Sequence, residues 1–226
     1  VITSDVIKTP SGLTHTLAET HAATVPAGAD PTQPTSLTNQ VTVNGHTTTS
    51  TYTASSHTWL TTSPAGRTAT TVINDLGQPL SIQAGSLAPV QNQYDAKGRL
   101  SAITRSADGT TRTTTLDYVT DGASAGYLQS VTGPLGLTVS YQRDANGRVT
   151  QLTRSDGQQV EFAYDAEGRL TRLTPPDGSA HLFTYDGNGS RTGYTPPQVG
   201  ADSSATVYHY NADLQPTEID RPDGKA

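Results

Sequence analysis

Gly122-Ala123-Ser124-Ala125-Gly126 has the letter pattern of a nucleophile elbow, in which a strained turn lifts a serine hydroxyl toward a substrate. With Asp165 and either His181 or His209 downstream, the chain holds serine, aspartate and histidine in the order used by α/β-hydrolases. That chemistry needs a strand before the serine and a helix after it. Here the following residues, Tyr127-Leu128-Gln129-Ser130-Val131, read as another strand. Five small residues between two strands make a flexible junction, and no catalytic role is expected of Ser124.

A second candidate recurs. Tyr94-Asp95-Ala96-Lys97-Gly98-Arg99-Leu100 and Tyr164-Asp165-Ala166-Glu167-Gly168-Arg169-Leu170 share the pattern Tyr-Asp-x-x-Gly-Arg-Leu. Phenol, carboxylate and guanidinium together are the material of an acid–base or metal site. The residue before the glycine argues against it, being Lys97, Asn146, Glu167 and Asn188 in successive copies. A repeated reactive site would not accept both charge signs there. A turn would: the aspartate accepts backbone N–H bonds, the glycine takes positive φ, and the arginine stays near the carboxylate.

The remaining candidates are weaker. Asp186-Gly187-Asn188-Gly189-Ser190 imitates the start of a calcium loop, but Arg191 stands where that loop needs glycine and Pro197 where it needs glutamate. Asn188-Gly189-Ser190 also matches a glycosylation sequon, relevant only in a eukaryotic secretory setting. The six histidines show no zinc-ligand spacing, and His181 is expected to pack beside Phe183 and Tyr185. Trp59 reads as wall packing, with glycan stacking as the alternative. No carboxylate pair of a glycosidase stands out. Without cysteine, disulfides, thiolate metal sites and cysteine nucleophiles are excluded. No cofactor is implied.

The elements that must position these residues follow from their spacing. Asp144-Ala145-Asn146-Gly147-Arg148 is a slipped copy with its tyrosine displaced to Tyr141, and weaker copies begin at Tyr185-Asp186 and Tyr210-Asn211. Asp144, Asp165 and Asp186 are 21 residues apart. Half a repeat away, an aliphatic residue is followed five positions later by a turn glycine, as in Ile7 to Gly12, Leu152 to Gly157, Leu173 to Gly178 and Ile219 to Gly224. Two turns per unit, about ten residues apart, is strand–turn–strand spacing. Asp-Gly and Asn-Gly suit tight hairpins, so neighbouring strands should be antiparallel. Tyr-Asp turns should then lie along one rim and Pro-x-x-Gly turns along the other. Val160, Phe162 and Tyr164 alternate cleanly, but Leu170 and Leu173 are three apart, which predicts a bulge or strong twist in the return strand.

No apolar stripe of helical period runs through the chain. Thr14 to Gln40, with few large apolar residues, reads as a long loop or a loosely paired extended segment. Asn74-Asp75-Leu76-Gly77-Gln78 reads as a worn Tyr-Asp turn. The chain is expected to be one array, degenerate over 1–74 and clear over 75–226. Val41 to Ile73 has Arg67 as its only charged side chain. It lacks the charges that guard an edge strand, so it should pair with the rest of the array or mediate self-association.

A net charge of −6 and a pI near 5.4 disfavour nucleic acid and anionic membrane, which need a cationic footprint. No stretch approaches the ~20 apolar residues of a membrane helix. With no methionine, not even a first one, the chain is expected to be an excised or processed piece of a longer one.

The in-phase signature and its interleaved turns resemble the YD-repeat (RHS-repeat) family, found in Rhs polymorphic toxins, toxin-complex C subunits, wall-associated proteins and teneurins. That resemblance implies an all-β fold, an array of antiparallel hairpins forming a curled strip or arc of a β-spiral shell. It assigns Tyr94, Asp95, Gly98, Arg99, Asp144, Gly147, Arg148, Tyr164, Asp165, Gly168, Arg169, Tyr185, Asp186 and Gly189 to the structural repeat motif, with Ser190 in an arginine place. It implies a secreted or cell-surface bacterial protein, non-enzymatic in this segment. Its partners would be the rest of its own shell and an encapsulated C-terminal domain. Two other function classes are weighed beside it: a carbohydrate-binding or adhesive surface, with glycans as partners, and a β-helix polysaccharide hydrolase or lyase. Hairpin turns speak against the parallel strands of the latter.

Overall fold

The computed structural model describes residues 2–197 and 205–222. Its first ten strands are β1 (Ile2–Lys8), β2 (Thr14–Thr24), β3 (Ser36–Val43), β4 (His46–Thr53), β5 (Thr58–Thr62), β6 (Thr68–Ile73), β7 (Pro79–Ala84), β8 (Val90–Tyr94), β9 (Leu100–Ala107) and β10 (Thr110–Tyr118). The remainder are β11 (Leu128–Thr132), β12 (Thr138–Arg143), β13 (Val149–Arg154), β14 (Gln159–Tyr164), β15 (Leu170–Thr174), β16 (His181–Tyr185), β17 (Arg191–Thr195), β18 (Thr206–Tyr210) and β19 (Pro216–Asp220). Among the described residues the only helical element is one 3-10 turn, Ala54–Ser56. The all-β expectation holds. The chain divides within β10 into two compact units, Val1–Thr114 and Thr115–Ala226.

In the first unit each strand from β1 to β9 pairs antiparallel with the next, and β9 pairs with β10. The Asp108-Gly109 tip between β9 and β10 has φ of 52° and 72°, the two positive values that a type I′ hairpin turn needs. Of the two readings of Thr14 to Gln40, the long loop is overturned and the paired extended segment holds. β2 and β3 stay in register over eight residue pairs, from Leu17 opposite Val43 to Thr24 opposite Ser36, and only residues 25–35 connect them. Threonine and alanine suffice because neither face of this hairpin is fully buried, so no alternation of large apolar residues is required. Val41 to Ile73 is not an edge. It runs through β3 to β6, each hydrogen-bonded on both sides within the chain.

In the second unit the end of β10 pairs with β11, and the antiparallel ladder continues strand by strand to β19. Residues directly opposite each other share a face. One face is apolar: Val131 opposite Val139, Tyr141 opposite Leu152, Phe162 opposite Leu173, Phe183 opposite Tyr194, and Tyr208 opposite Ile219. The other carries Gln151 opposite Glu161, Arg172 opposite Leu182 and His209 opposite Glu218. His181 lies on the apolar face as expected, across from Leu173.

The spacing of Leu170 and Leu173 has its cause. Ala163 pairs with Arg172 but Tyr164 with Leu170, which leaves Thr171 unopposed. Ser101, Thr150, Thr192 and Thr217 are left out in the same way in β9, β13, β17 and β19. One extra residue reverses the alternation, so residues three apart return to one face.

Strands touch their ladder neighbours and little else. Among the described residues Ala102, 7% exposed, is the only buried hydrophobic side chain, and no large side chain is fully buried. Among the described residues of each unit the apolar rows are half-covered by their own ladder neighbours.

Candidate functional site

Every copy of the signature sits at a hairpin tip between an even-numbered strand and the next odd one: β8–β9, β12–β13, β14–β15, β16–β17 and, for the weaker copy at Tyr210-Asn211, β18–β19. The glycine turns of the intervening hairpins lie at the opposite strand ends, as an antiparallel meander requires. Both kinds share one backbone turn. The first residue's N–H donates to the carbonyl of the fifth, and the fourth residue's N–H donates back to the carbonyl of the first. Asp165–Arg169 closes this way at 3.0 and 3.1 Å, and Ser63–Arg67 on the other rim at 2.8 and 2.9 Å. The fourth residue is glycine because the turn puts it at positive φ, 88° at Gly168.

The rims differ in what the first side chain does. Asp144 Oδ1 accepts the N–H groups of Asn146 and Arg148 at 2.9 and 3.0 Å, while Oδ2 receives Arg148 Nε at 2.6 Å. Asp95 does the same with Lys97 and Arg99, and Asp165 with Arg169. Asp186 caps Asn188 and Ser190 without an arginine of its own. The Asp95 carboxyl is held below its ordinary range chiefly by the Arg99 N–H, then by the Arg99 side chain. At Asp144 and Asp165 the largest influence is desolvation, which pushes the carboxyl up. The arginine side-chain and backbone hydrogen bonds together outweigh it, and the net direction is down.

The arginine and tyrosine then reach across copies. Arg148 Nη1 donates to Asp165 O at 3.2 Å and Arg169 Nη1 to Asp186 O at 2.9 Å. Their guanidinium groups lie over the rings of Tyr164 and Tyr185, 4.9 and 5.1 Å from the centroids. The tyrosine hydroxyls reach back fifteen residues: Tyr94 to Pro79 O, Tyr164 to Val149 O and Tyr185 to Leu170 O, each at 2.9 Å. The aspartate, arginine and tyrosine side chains of the motif thus bond to their own turn or to the neighbouring copy.

Three copies depart from this scheme: the one at Arg143 was missed by sequence reasoning, while those at Asn74 and Asn211 are the worn and weaker copies read in the sequence. In the slipped copy the tyrosine position is Arg143, and its Nη2 donates to Leu128 O at 3.4 Å, again fifteen residues back. Tyr141 does not take that role but lies under the Arg143 guanidinium, as does Tyr127. The worn turn at Asn74 keeps the cap in neutral form. Asn74 Oδ1 accepts the Leu76 and Gln78 N–H groups, Asn74 Nδ2 donates to Gln78 Oε1, and Gln78 Nε2 crosses to Gly98 O at 2.7 Å. Asn211 and Gln215 repeat that pair, but with Leu214 at φ 61° where glycine belongs. The signal for the first two was a polar residue of matching reach at the motif position.

The other candidates settle into packing. Residues 119–127, which contain Ser124, join β10 to β11, so a strand follows the serine and no elbow forms. The turn glycine of Gly122 has φ 75° and the Ser124 carbonyl accepts the Tyr127 N–H. Trp59 lies tilted against Tyr52 across the β4–β5 pair, centroids 5.2 Å apart. His181 Nδ1 meets Tyr194 OH at 2.8 Å, with the rings stacked. The turn expected at Gly224 lies outside the described residues.

Comparison with known proteins follows this geometry. Residues 3–226 match the family model Teneurin YD-shell. No curated protein matches the chain. Among solved structures, a TcdB2-TccC3-Cdc42 complex and the Photorhabdus luminescens Tc holotoxin pore are similar at a TM-score of 0.60 and 12% identity. Each match covers 96% of this chain, which spans 15% of the length of each of theirs. A TcdB2-TccC3 structure without its hypervariable C-terminal region is similar at 0.58 and 11% identity, covering 96% of this chain and 11% of its own. At such identities the likeness is one of fold. The match to the family model spans nearly the whole sequence, and the chain belongs to the Teneurin YD-shell family.

Proposed function

We propose that residues 1–226 are one array, a length of shell wall in a secreted or surface-exposed bacterial protein, and that the complete shell encloses or presents a C-terminal effector. In this reading Tyr94, Asp95, Gly98, Arg99 and their counterparts through Gly189 hold the wall and perform no chemistry. The observation that carries it is a repeated inter-copy staple in a sheet whose described strands contact little but their ladder neighbours. Such a sheet has two working faces, as a wall does, and its cohesion comes along the strip. The fold likeness to toxin-complex structures supports the enclosing role.

Timed proteolysis of the full-length protein tests it. The expected result is a C-terminal region resistant to protease while the wall is folded and cleaved once the wall is unfolded. Cleavage of that region at the same rate in both conditions would refute enclosure.

A further inference from the structure

The polar face of the β18–β19 hairpin carries three ligand-type side chains that the shell reading does not use. Strand alternation puts His209 on the face opposite Tyr208 and Tyr210, and Glu218 and Asp220 opposite Ile219. The register sets His209 directly across from Glu218, and Val207 across from Asp220. The imidazole therefore meets one carboxylate head-on and the other on the diagonal. His209 Nε2 is 2.9 Å from Asp220 Oδ2, and one ligand atom from each of the three residues lies within 4.8 Å of the others. The signature aspartates Asp95, Asp144 and Asp165 each hold an arginine. Among the described residues no arginine or lysine bridges to Glu218 or Asp220, so two carboxylates share one face beside an imidazole with no cationic partner.

We propose that His209, Glu218 and Asp220 form a binding site for a zinc-type divalent cation. Zinc bonds of about 2.0–2.2 Å to nitrogen and oxygen put tetrahedral ligand atoms about 3.4 Å apart. The His209–Asp220 edge is already inside that distance, and an edge at the 4.8 Å limit would close by about 1.4 Å. Side chains that are 47% and 54% exposed, at His209 and Asp220, have room for that rotation. Imidazole with two carboxylates suits zinc or a neighbouring transition ion and does not suit calcium or magnesium, which take oxygen ligands alone. The two carboxylates carry the charge a divalent ion neutralises. The backbone turn from Asn211 to Gln215 and the bulge at Thr217 fix the register that aligns the ligands. Three protein ligands leave the fourth position to water or to a donor from another molecule. Bound metal would replace the His209–Asp220 hydrogen bond and tie β18 to β19. The proposal does not depend on what the shell encloses.

Calorimetric titration of the full chain with zinc alone, near neutral pH, is the test. One tight site is expected, weakened by about tenfold or more in His209→Ala, since loss of a direct ligand costs at least what outer-shell changes do. Glu218→Gln and Asp220→Asn keep side-chain volume and should each weaken it, while His57→Ala should not. Zinc should raise Tm in the parent and leave the His209→Ala variant unmoved. Equal zinc affinity in the parent, His209→Ala and Asp220→Asn proteins would overturn the proposal, and so would loss of the site in His57→Ala.

Discussion

From Thr14 to Ile73 five strands pair without a single bulge, whereas each signature hairpin from β8 onward carries one. The first region is laced by short hydroxyl contacts, Thr42 to Thr47 at 2.8 Å and Ser50 to Thr61 at 3.0 Å. Such cross-strand pairs contribute roughly 0.2–1 kcal/mol each. The second region has such pairs too, Thr104 to Thr113 at 3.1 Å and Thr132 to Thr138 at 2.9 Å, and adds a stapled rim, where aspartate caps a turn and arginine and tyrosine bridge to the next copy. One meander is therefore built in two ways. Distributed pairing depends on no single position. Rim stapling depends on a few positions, so the strongest mutational effects should gather there.

The largest contrast lies between two turn glycines. Gly147 has φ 80°, and a Cβ there would fall on the Tyr127 ring. Gly136 has φ 77° with open space around it. Gly136→Ala should cost about 1–2 kcal/mol from the left-handed backbone alone. Gly147→Ala should cost about 3 kcal/mol because overpacking adds to that strain. Urea unfolding of both variants measures the difference, and equal losses would remove the role given to Tyr127.

Next come the caps. Asp165→Ala removes a turn cap and an arginine pair, while Ser63→Ala removes only the Ser63 Oγ bond to the Arg67 N–H at 3.0 Å. Asp165→Ala should lower Tm more. Acid should sharpen the same contrast. A carboxyl whose folded pKa is depressed contributes stability above its unfolded pKa, and that contribution is lost as pH falls through the folded value. Asp95, Asp144 and Asp165 are of this kind. Hydrogen exchange followed downward through the ordinary aspartate range should release β12–β15 before β3–β6, which contain no aspartate. Smaller still, Leu214→Gly should stabilise by about 1 kcal/mol through relief of the left-handed leucine. At the bottom, Ser124→Ala should leave stability within about 0.5 kcal/mol and alter no activity.

Local chemistry was legible in the sequence. The Leu170–Leu173 spacing marked the bulge, and Asp-x-x-Gly-Arg marked the capped turn, because each is decided within a few residues. The β2–β3 hairpin was not legible. Its threonines and alanines carry no face pattern when both faces remain partly open, so pairing leaves no periodic trace. Nor was Arg143 in the tyrosine's place, since its partner carbonyl at Leu128 is fifteen residues away and only the register brings them together. The His209, Glu218 and Asp220 cluster escaped for the same reason, its ligands lying on two strands across a turn.

The account rests on a single-layer wall stapled along one rim. Electron cryomicroscopy of the full-length protein examines that claim most directly. The expected map shows residues 75–220 as consecutive hairpins in one layer, with the Tyr-Asp turns along one rim and an enclosed space beside the sheet. A map in which the row of Phe162, Leu173, Phe183 and Tyr194 packs against a second sheet or a helical layer of a solid domain, with no enclosed space, would contradict it.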